Sequence, residues 1–311
     1  MAETRLIAIE EHFVSPALRP FRRAPDSPRE RKLADMGEGR LREMDEAGIG
    51  IQVLSENNPA AQNFDPKTAP DMARASNDFL YEAIRARPDR FAGFAALPTA
   101  NPKAAADELE RTVTKLGFKG AMIMGTTRGR FLDGREFWPI FERAAALDVP
   151  VYLHPCPVLE PVNEAYFKDC PPLGGAALGY TIETLTHSFR LIMSGLFDKY
   201  PSLKIIVGHL GEAAPYLLWR TEENLKPFGL NMPKSFGDYY RQHFWLTTSG
   251  AFSNAALACA IAEMGIARIL YAVDWPYIEN QDGTDWLNQL PLSAHDRDLI
   301  AAGNAKRLLK L

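Results

Sequence analysis

Two carboxylates and an imidazole close an otherwise apolar run in LIAIEEHF, where Glu10, Glu11 and His12 follow Leu6, Ile7, Ala8 and Ile9. Similar endings recur along the chain. His154 ends VYLH, His209 and Glu212 follow IIV in IIVGHLGE, and Asp274 ends LYAVD. Side chains alternate along a strand, so Glu10 and His12 share one face while Glu11 points away from it. Glu10, His12, His154 and Asp274 together offer two carboxylates and two imidazoles. That mixed set suits one divalent ion such as zinc or manganese, with magnesium also admitted by the oxygen donors. His209 and Glu212 are left for acid–base work beside the ion. A single histidine at a strand end ordinarily makes a structural hydrogen bond. Several ionisable groups sharing one place would each cost on the order of several kcal/mol if unpaired, and this favours a common metal site.

The elements that must position these residues alternate regularly. GRLREMDEAGI has helical spacing and is followed by the strand IQVLSENN; DMARASNDFLYEAIRARPD is followed by RFAGFAALP, NPKAAADELERTVTKLG by FKGAMIMG, and GREFWPIFERAAALDV by PVYLHP. A loop-rich insertion over residues 157 to about 180 precedes the helix TIETLTHSFRLIMSGLFDKYP and the strand LKIIVGHLGE. The helix beginning PYLLWR, the strand FWLTTSG, the helix NAALACAIAEMG and the strand RILYAVDWP complete the series before a terminal helical stretch. Eight apolar strands alternating with helices predict an α/β fold, a closed (β/α)8 TIM barrel, with chemistry gathered at the C-terminal strand ends. An open doubly wound sheet would bring a glycine-rich turn after its first strand, and EEHFVSP has no glycine. No repeat, low-complexity tract or linker divides the chain, so residues 1–311 are read as a single domain. The proline-spaced segment SPALRPFRRAPDSPRERKL is expected to be irregular.

Composition limits the partners. The 311 residues are 46% hydrophobic with a formal charge of −4 and no basic run beyond short pairs. Nucleic acid is therefore not an expected partner, and a small molecule is. The absence of a signal-like leader and of a long apolar stretch predicts a soluble, cytoplasmic protein that does not engage membranes. Cys156, Cys170 and Cys259 are too widely spaced for a disulfide framework or zinc knuckle and read as reduced thiols. His187 is expected to pack or hydrogen-bond within its helix, while His243 and His295 are expected at the surface. Glu11 is expected to salt-bridge the barrel to its helices. Phe13, Phe21, Phe131, Trp275 and Tyr277 lie near the strand ends, where aromatic side chains can pack against a ring or simply fill core.

These residues resemble the amidohydrolase superfamily, in particular its metal-dependent nonoxidative decarboxylases of aminocarboxymuconate-semialdehyde, γ-resorcylate, 2,3-dihydroxybenzoate and 5-carboxyvanillate. The resemblance runs nearly end to end and rests on IEEHF, YLHP, SGLFDKYPSLKIIVGHLGE, YLLWR, DWPYIENQDGTDWLN and NAKRLLKL. Most hydrolases of the superfamily open with His-x-His, whereas Glu10-x-His12 resembles the γ-resorcylate decarboxylase group. The bridging lysine common in two-metal hydrolases has no counterpart at the end of KGAMIMG, where Lys119 stands at the start, so one metal is expected.

The resemblance implies Glu10, His12, His154 and Asp274 as ligands, His209 with Glu212 as a catalytic pair, and Arg220 as a substrate-binding residue. It also implies a homodimer or homotetramer with a neighbour's loops near the site. The reaction implied is decarboxylation of an ortho-hydroxylated aromatic acid, with Asp274 protonating the ring carbon and His209 attending the phenol. Phe13, Trp275 and Tyr277 are the aromatic residues expected against the substrate. The same residues leave two other readings, a mononuclear hydrolase of a lactone or cyclic amide and a barrel that only binds ligand.

Overall fold

The computed structural model describes residues 5–311 apart from 23, 25 and 59. Its strands are β1 (Leu6–Phe13), β2 (Ile49–Glu56), β3 (Phe91–Gly93), β4 (Ala95–Ala96), β5 (Ala121–Met124), β6 (Val151–His154), β7 (Ile205–Val207), β8 (Phe244–Thr247) and β9 (Ile269–Leu270). All neighbours pair in parallel, in the orders β1-β2-β3 and β4-β5-β6-β7-β8-β9. β3 and β4 are two halves of one barrel strand. The break falls at Phe94, whose N–H donates to Leu54 O at 2.9 Å, while Ala95 N–H turns to Gly120 O on the other side at 2.9 Å. The circle closes where His12 N–H donates to Trp275 O at 2.8 Å and Glu11 bridges Trp275 in parallel register. The fold is thus the α/β TIM-type barrel that eight alternating units predict.

The core has two parts. Ile7, Ile9, Val53, Phe94, Met122, Tyr152, Ile206, Leu270 and Ala272 fill the barrel interior. Leu6, Ala8, Phe13, Leu54, Ile123, Leu153, Val207 and Leu246 face the surrounding helices. β1 belongs to both sets with a change of phase. Its pairing advances from Ala8↔Gln52 to Glu11↔Leu54, three residues against two, which inserts one extra residue as a β-bulge. Ile7 and Ile9 point inward before the bulge, and Glu10 and His12 point inward after it.

Two segments are more regular than the sequence suggests. A helix, Pro28–Ala34, forms in the proline-spaced segment because Ser27 accepts the Glu30 N–H and Pro28 pre-sets the first turn. A second helix, Glu160–Phe167, with Pro161 in its first turn, occupies part of the insertion after β6, the fifth barrel position. Among the described residues no helix is long and apolar enough to cross a membrane.

Candidate metal centre

Glu10, His12, His154 and Asp274 converge from β1, β6 and the segment after β9, and one ligand atom from each lies within 4.8 Å of all the others. Glu10 and His12 are fully buried. His12 Nε2 is 3.1 Å from Asp274 Oδ1, and His154 Nε2 is 3.3 Å from Glu10 Oε1. His209 faces the same point, its Nε2 3.9 Å from both Glu10 Oε1 and Asp274 Oδ2.

Each donor is aimed by a contact behind it. Glu10 Oε2 accepts three hydroxyls, from Tyr152, Ser249 and Thr247. Its other oxygen, Oε1, is buried and receives no hydrogen bond. A buried carboxylate oxygen without a donor is costly, and a cation beside it removes that cost. His154 Nδ1 lies 2.8 Å from the Pro155 carbonyl, which can only accept, so Nδ1 carries the proton and Nε2 is the free donor for a metal. His12 Nδ1 lies 3.2 Å from Ser55 Oγ, which likewise fixes the ring. The residues therefore fit a single divalent ion bound by two oxygens and two nitrogens.

Electrostatics agree with a site that gathers positive charge. Burial pushes the Glu10 carboxyl up, but His209, His154 and His12 outweigh it and hold Glu10 well below the usual carboxylate range. Burial likewise raises Asp274, and His12 and His209 bring it below its ordinary value. For His209 burial works downward, yet Glu10 and Glu212 push the imidazole well above its usual value. His12 is lowered by burial.

The segment after β7 is unusual in its backbone. His209, Leu210, Gly211, Glu212 and Ala213 all have positive φ, between +50° and +86°, so the residues form a left-handed turn. Within it His209 Nδ1 lies 2.7 Å from Glu212 Oε1, bent away from hydrogen-bond geometry, and Glu212 Oε2 accepts Thr181 Oγ1–H at 2.6 Å. Gly208, just before the turn, has no room for a side chain, since a Cβ there would meet Glu10 Oε2 at 2.8 Å. Asp274 is also left-handed, with φ +73°.

Other residues expected at the site part company here. Tyr277 stands at the mouth, its ring edge-on to His12 at 5.9 Å and its hydroxyl accepting from Asn57 Nδ2 at 2.7 Å. Phe13 does not reach the mouth, because it lies on the outer face of β1 and stacks on Phe79 at 6.1 Å. Trp275 also points outward. Its Nε1–H donates to Glu43 at 2.8 Å and Arg40 covers its ring at 4.0 Å. Arg220 is exposed on the helix Ala214–Leu225. Phe21 is 57% exposed against Phe64, and Phe131 packs edge-on to His187. His187 accepts the Leu132 N–H, a packing role. His243 is buried rather than at the surface, because its ring stacks on Phe197 at 4.3 Å and its Nδ1 pairs with Leu203 O. His295 is exposed. Among the described residues Glu11 makes no direct salt bridge, and it accepts backbone N–H groups of Val273 and Trp275.

The chain matches the amidohydrolase family over residues 12–311. It belongs to that family. It is 41% identical to a γ-resorcylate decarboxylase of Polaromonas sp., with 98% of each chain covered. A crystal structure of a 2,6-dihydroxybenzoate decarboxylase complexed with 2,6-dihydroxybenzoate superposes with a TM-score of 0.93 and 38% identity over 99% of both chains. A dihydroxybenzoic acid decarboxylase from Polaromonas sp. with bound manganese and the inhibitor 2-nitroresorcinol superposes with a TM-score of 0.91 and 41% identity, covering 99% of this chain and 98% of that one. Within this amidohydrolase the supporting contacts of Tyr152, Thr247, Ser249, Ser55 and Thr181 escape a reading of ionisable residues alone. For Tyr152 a signal exists, since it stands two before His154 and so shares its face.

Proposed function

We propose that this chain is a metal-dependent nonoxidative decarboxylase of an ortho-hydroxylated aromatic acid, with 2,6-dihydroxybenzoate as the first substrate to test. The observation that carries the reading is the convergence of Glu10, His12, His154 and Asp274 on one point that His209 also faces. The likeness to γ-resorcylate decarboxylases over nearly the whole chain supports it.

Glu10, His12, His154 and Asp274 would hold the ion, which when bound supplies positive charge to fix a carboxylate and its neighbouring phenolic oxygen. The chain's own residues do the rest. Asp274, 17% exposed at its side chain and with its Oδ2 3.9 Å from His209 Nε2, is placed to pass a proton taken from the His209 imidazolium to the ring carbon that carries the carboxylate. A C–H bond forms as the C–C bond to the carboxylate breaks, and its electron pair returns to the ring as carbon dioxide leaves. His209, held by Glu212 and behind it Thr181, then takes the phenolic proton and so regains its charge, and Tyr277 offers a ring edge to the aromatic substrate. Manganese is the ion to load first, and zinc suits the same donors.

The protein acts as one barrel domain over residues 1–311 and, with its free cysteines, as a cytoplasmic enzyme. It self-associates as a homodimer or homotetramer. Tyr216, Trp219 and Phe228, on and just after one helix, are 80%, 73% and 74% exposed, and exposed aromatic side chains of this kind suit a subunit interface. Arg220 lies in the same helix, so a substrate contact by its side chain would be made across such an interface.

The test is carbon dioxide release from 2,6-dihydroxybenzoate, 2,3-dihydroxybenzoate, salicylate and 5-carboxyvanillate by manganese- or zinc-loaded protein. Release that stops on chelation is the expected result. No release from any of them by verified metal-loaded protein would overturn the reading.

A further inference from the structure

We propose that Glu11, outside the barrel, is the residue that positions Asp274 inside it. The inference rests on the metal-centre reading given above. Glu11 Oε1 accepts the N–H of Val273 at 2.9 Å and Oε2 accepts the N–H of Trp275 at 3.1 Å, one on each side of Asp274. A two-point carboxylate contact of this kind fixes a backbone segment in orientation as well as place.

Asp274 needs such a hold. Its φ of +73° is unfavourable for a residue with a Cβ, and conformations of this kind persist where the surroundings over-determine them. The surroundings do so from three sides. His12 N–H donates to Trp275 O at 2.8 Å, and the Asp274 carbonyl accepts Tyr277 N–H at 2.8 Å. Arg40, 1% exposed, covers the Trp275 ring and donates Nη2–H to His12 O at 2.7 Å and Nη1–H to Gln52 Oε1 at 3.1 Å. Three consecutive residues of β1 thus serve one centre. Glu10 and His12 face it directly, and Glu11 reaches across the seam where the barrel closes to set the neighbouring residue Asp274.

The experiment is Mn2+ affinity, read from the electron paramagnetic resonance signal of the free ion, for Glu11→Gln in two backgrounds, unaltered and Asp274→Ala. The glutamine keeps the shape but opposes one N–H with its own. Acting through Asp274, it should weaken Mn2+ binding about 10–100-fold in the unaltered background and less than about threefold where residue 274 has no carboxylate. Equal losses in both backgrounds, or no loss in either, would overturn the inference and leave Glu11 a barrel-closing residue. Failure of the unaltered protein to bind Mn2+ would overturn the metal-centre reading and this inference with it. If Glu11→Gln does not fold, Glu11→Asp, which shortens the reach and keeps the carboxyl group, is judged by the same criterion.

Discussion

Glu10, His12 and His154 are carried on extended strands, whereas His209, Glu212 and Asp274 stand on left-handed backbone at φ +50°, +51° and +73°. The division follows the work assigned to each. Residues proposed only to hold the ion need reach and fixed direction, which a pleated strand supplies every second position. Residues proposed to move a proton must be aimed at an atom off the strand axis, and a left-handed turn redirects them at a cost of roughly 1–2 kcal/mol per non-glycine residue.

The largest expected effect tests the turn side. Asp274→Asn should bind Mn2+ in the same stoichiometry yet lose about 10²–10⁴-fold in carbon dioxide release, the usual scale of a missing general acid. A variant that turns over normally would remove the distinction between holding and proton-moving residues.

A second test compares two buried carboxylates on the strand side. Glu56, at the end of β2, accepts from Ser15 N–H and Ser76 Oγ–H, yet burial outweighs these and the charge of Arg22 and pushes its carboxyl from 4.5 up to about 7. A folded-state value above the unfolded one means that stability is full below about 4.5 and is lost as pH rises to about 7. The loss reaches about 3 kcal/mol at most. Glu56→Gln should flatten the melting temperature over that window, and an unchanged slope would show that Glu56 does not set it.

Next, Tyr152→Phe removes one hydroxyl from Glu10 Oε2 and should weaken Mn2+ binding about 10–100-fold with the fold retained, as calorimetric titration would register. The smallest effect sharpens the cost of the turn itself. Ala213 is exposed at φ +65°, so Ala213→Gly should raise stability by about 1 kcal/mol in urea unfolding, where a loss would mean that the turn carries no strain.

The same division decides what the sequence discloses. Strand alternation places Glu10 with His12 and apart from Glu11, and the eight-fold alternation of elements yields the barrel. The bulge between Ala8 and Glu11 leaves no local mark, so alternation extended from Ile7 and Ile9 would have put Glu10 on the wrong face. Phe13 and Trp275 look like pocket residues because they neighbour His12 and Asp274 in sequence, yet Phe13 alternates to the outer face of β1 and Trp275, after the left-handed Asp274, turns out to Glu43 and Arg40. His243 reads as a surface residue from its polar surroundings, but the chain brings Phe197 over its ring from a distant helix. The hydroxyls of Thr247 and Ser249 carry no charge to draw notice, and only closure of the barrel sets them beneath Glu10.

Those hydroxyls also govern how the site can change. A histidine at position 10 would turn its ring toward Tyr152, Thr247 and Ser249, groups matched to a carboxylate, and against Gly208, where even a methyl group would crowd the Glu10 oxygens. Conversion to a His-x-His opening would therefore involve Tyr152, Thr247, Ser249 and Gly208 as well as residue 10. The floor of the barrel thus ties the identity of residue 10 to four positions far from it in sequence.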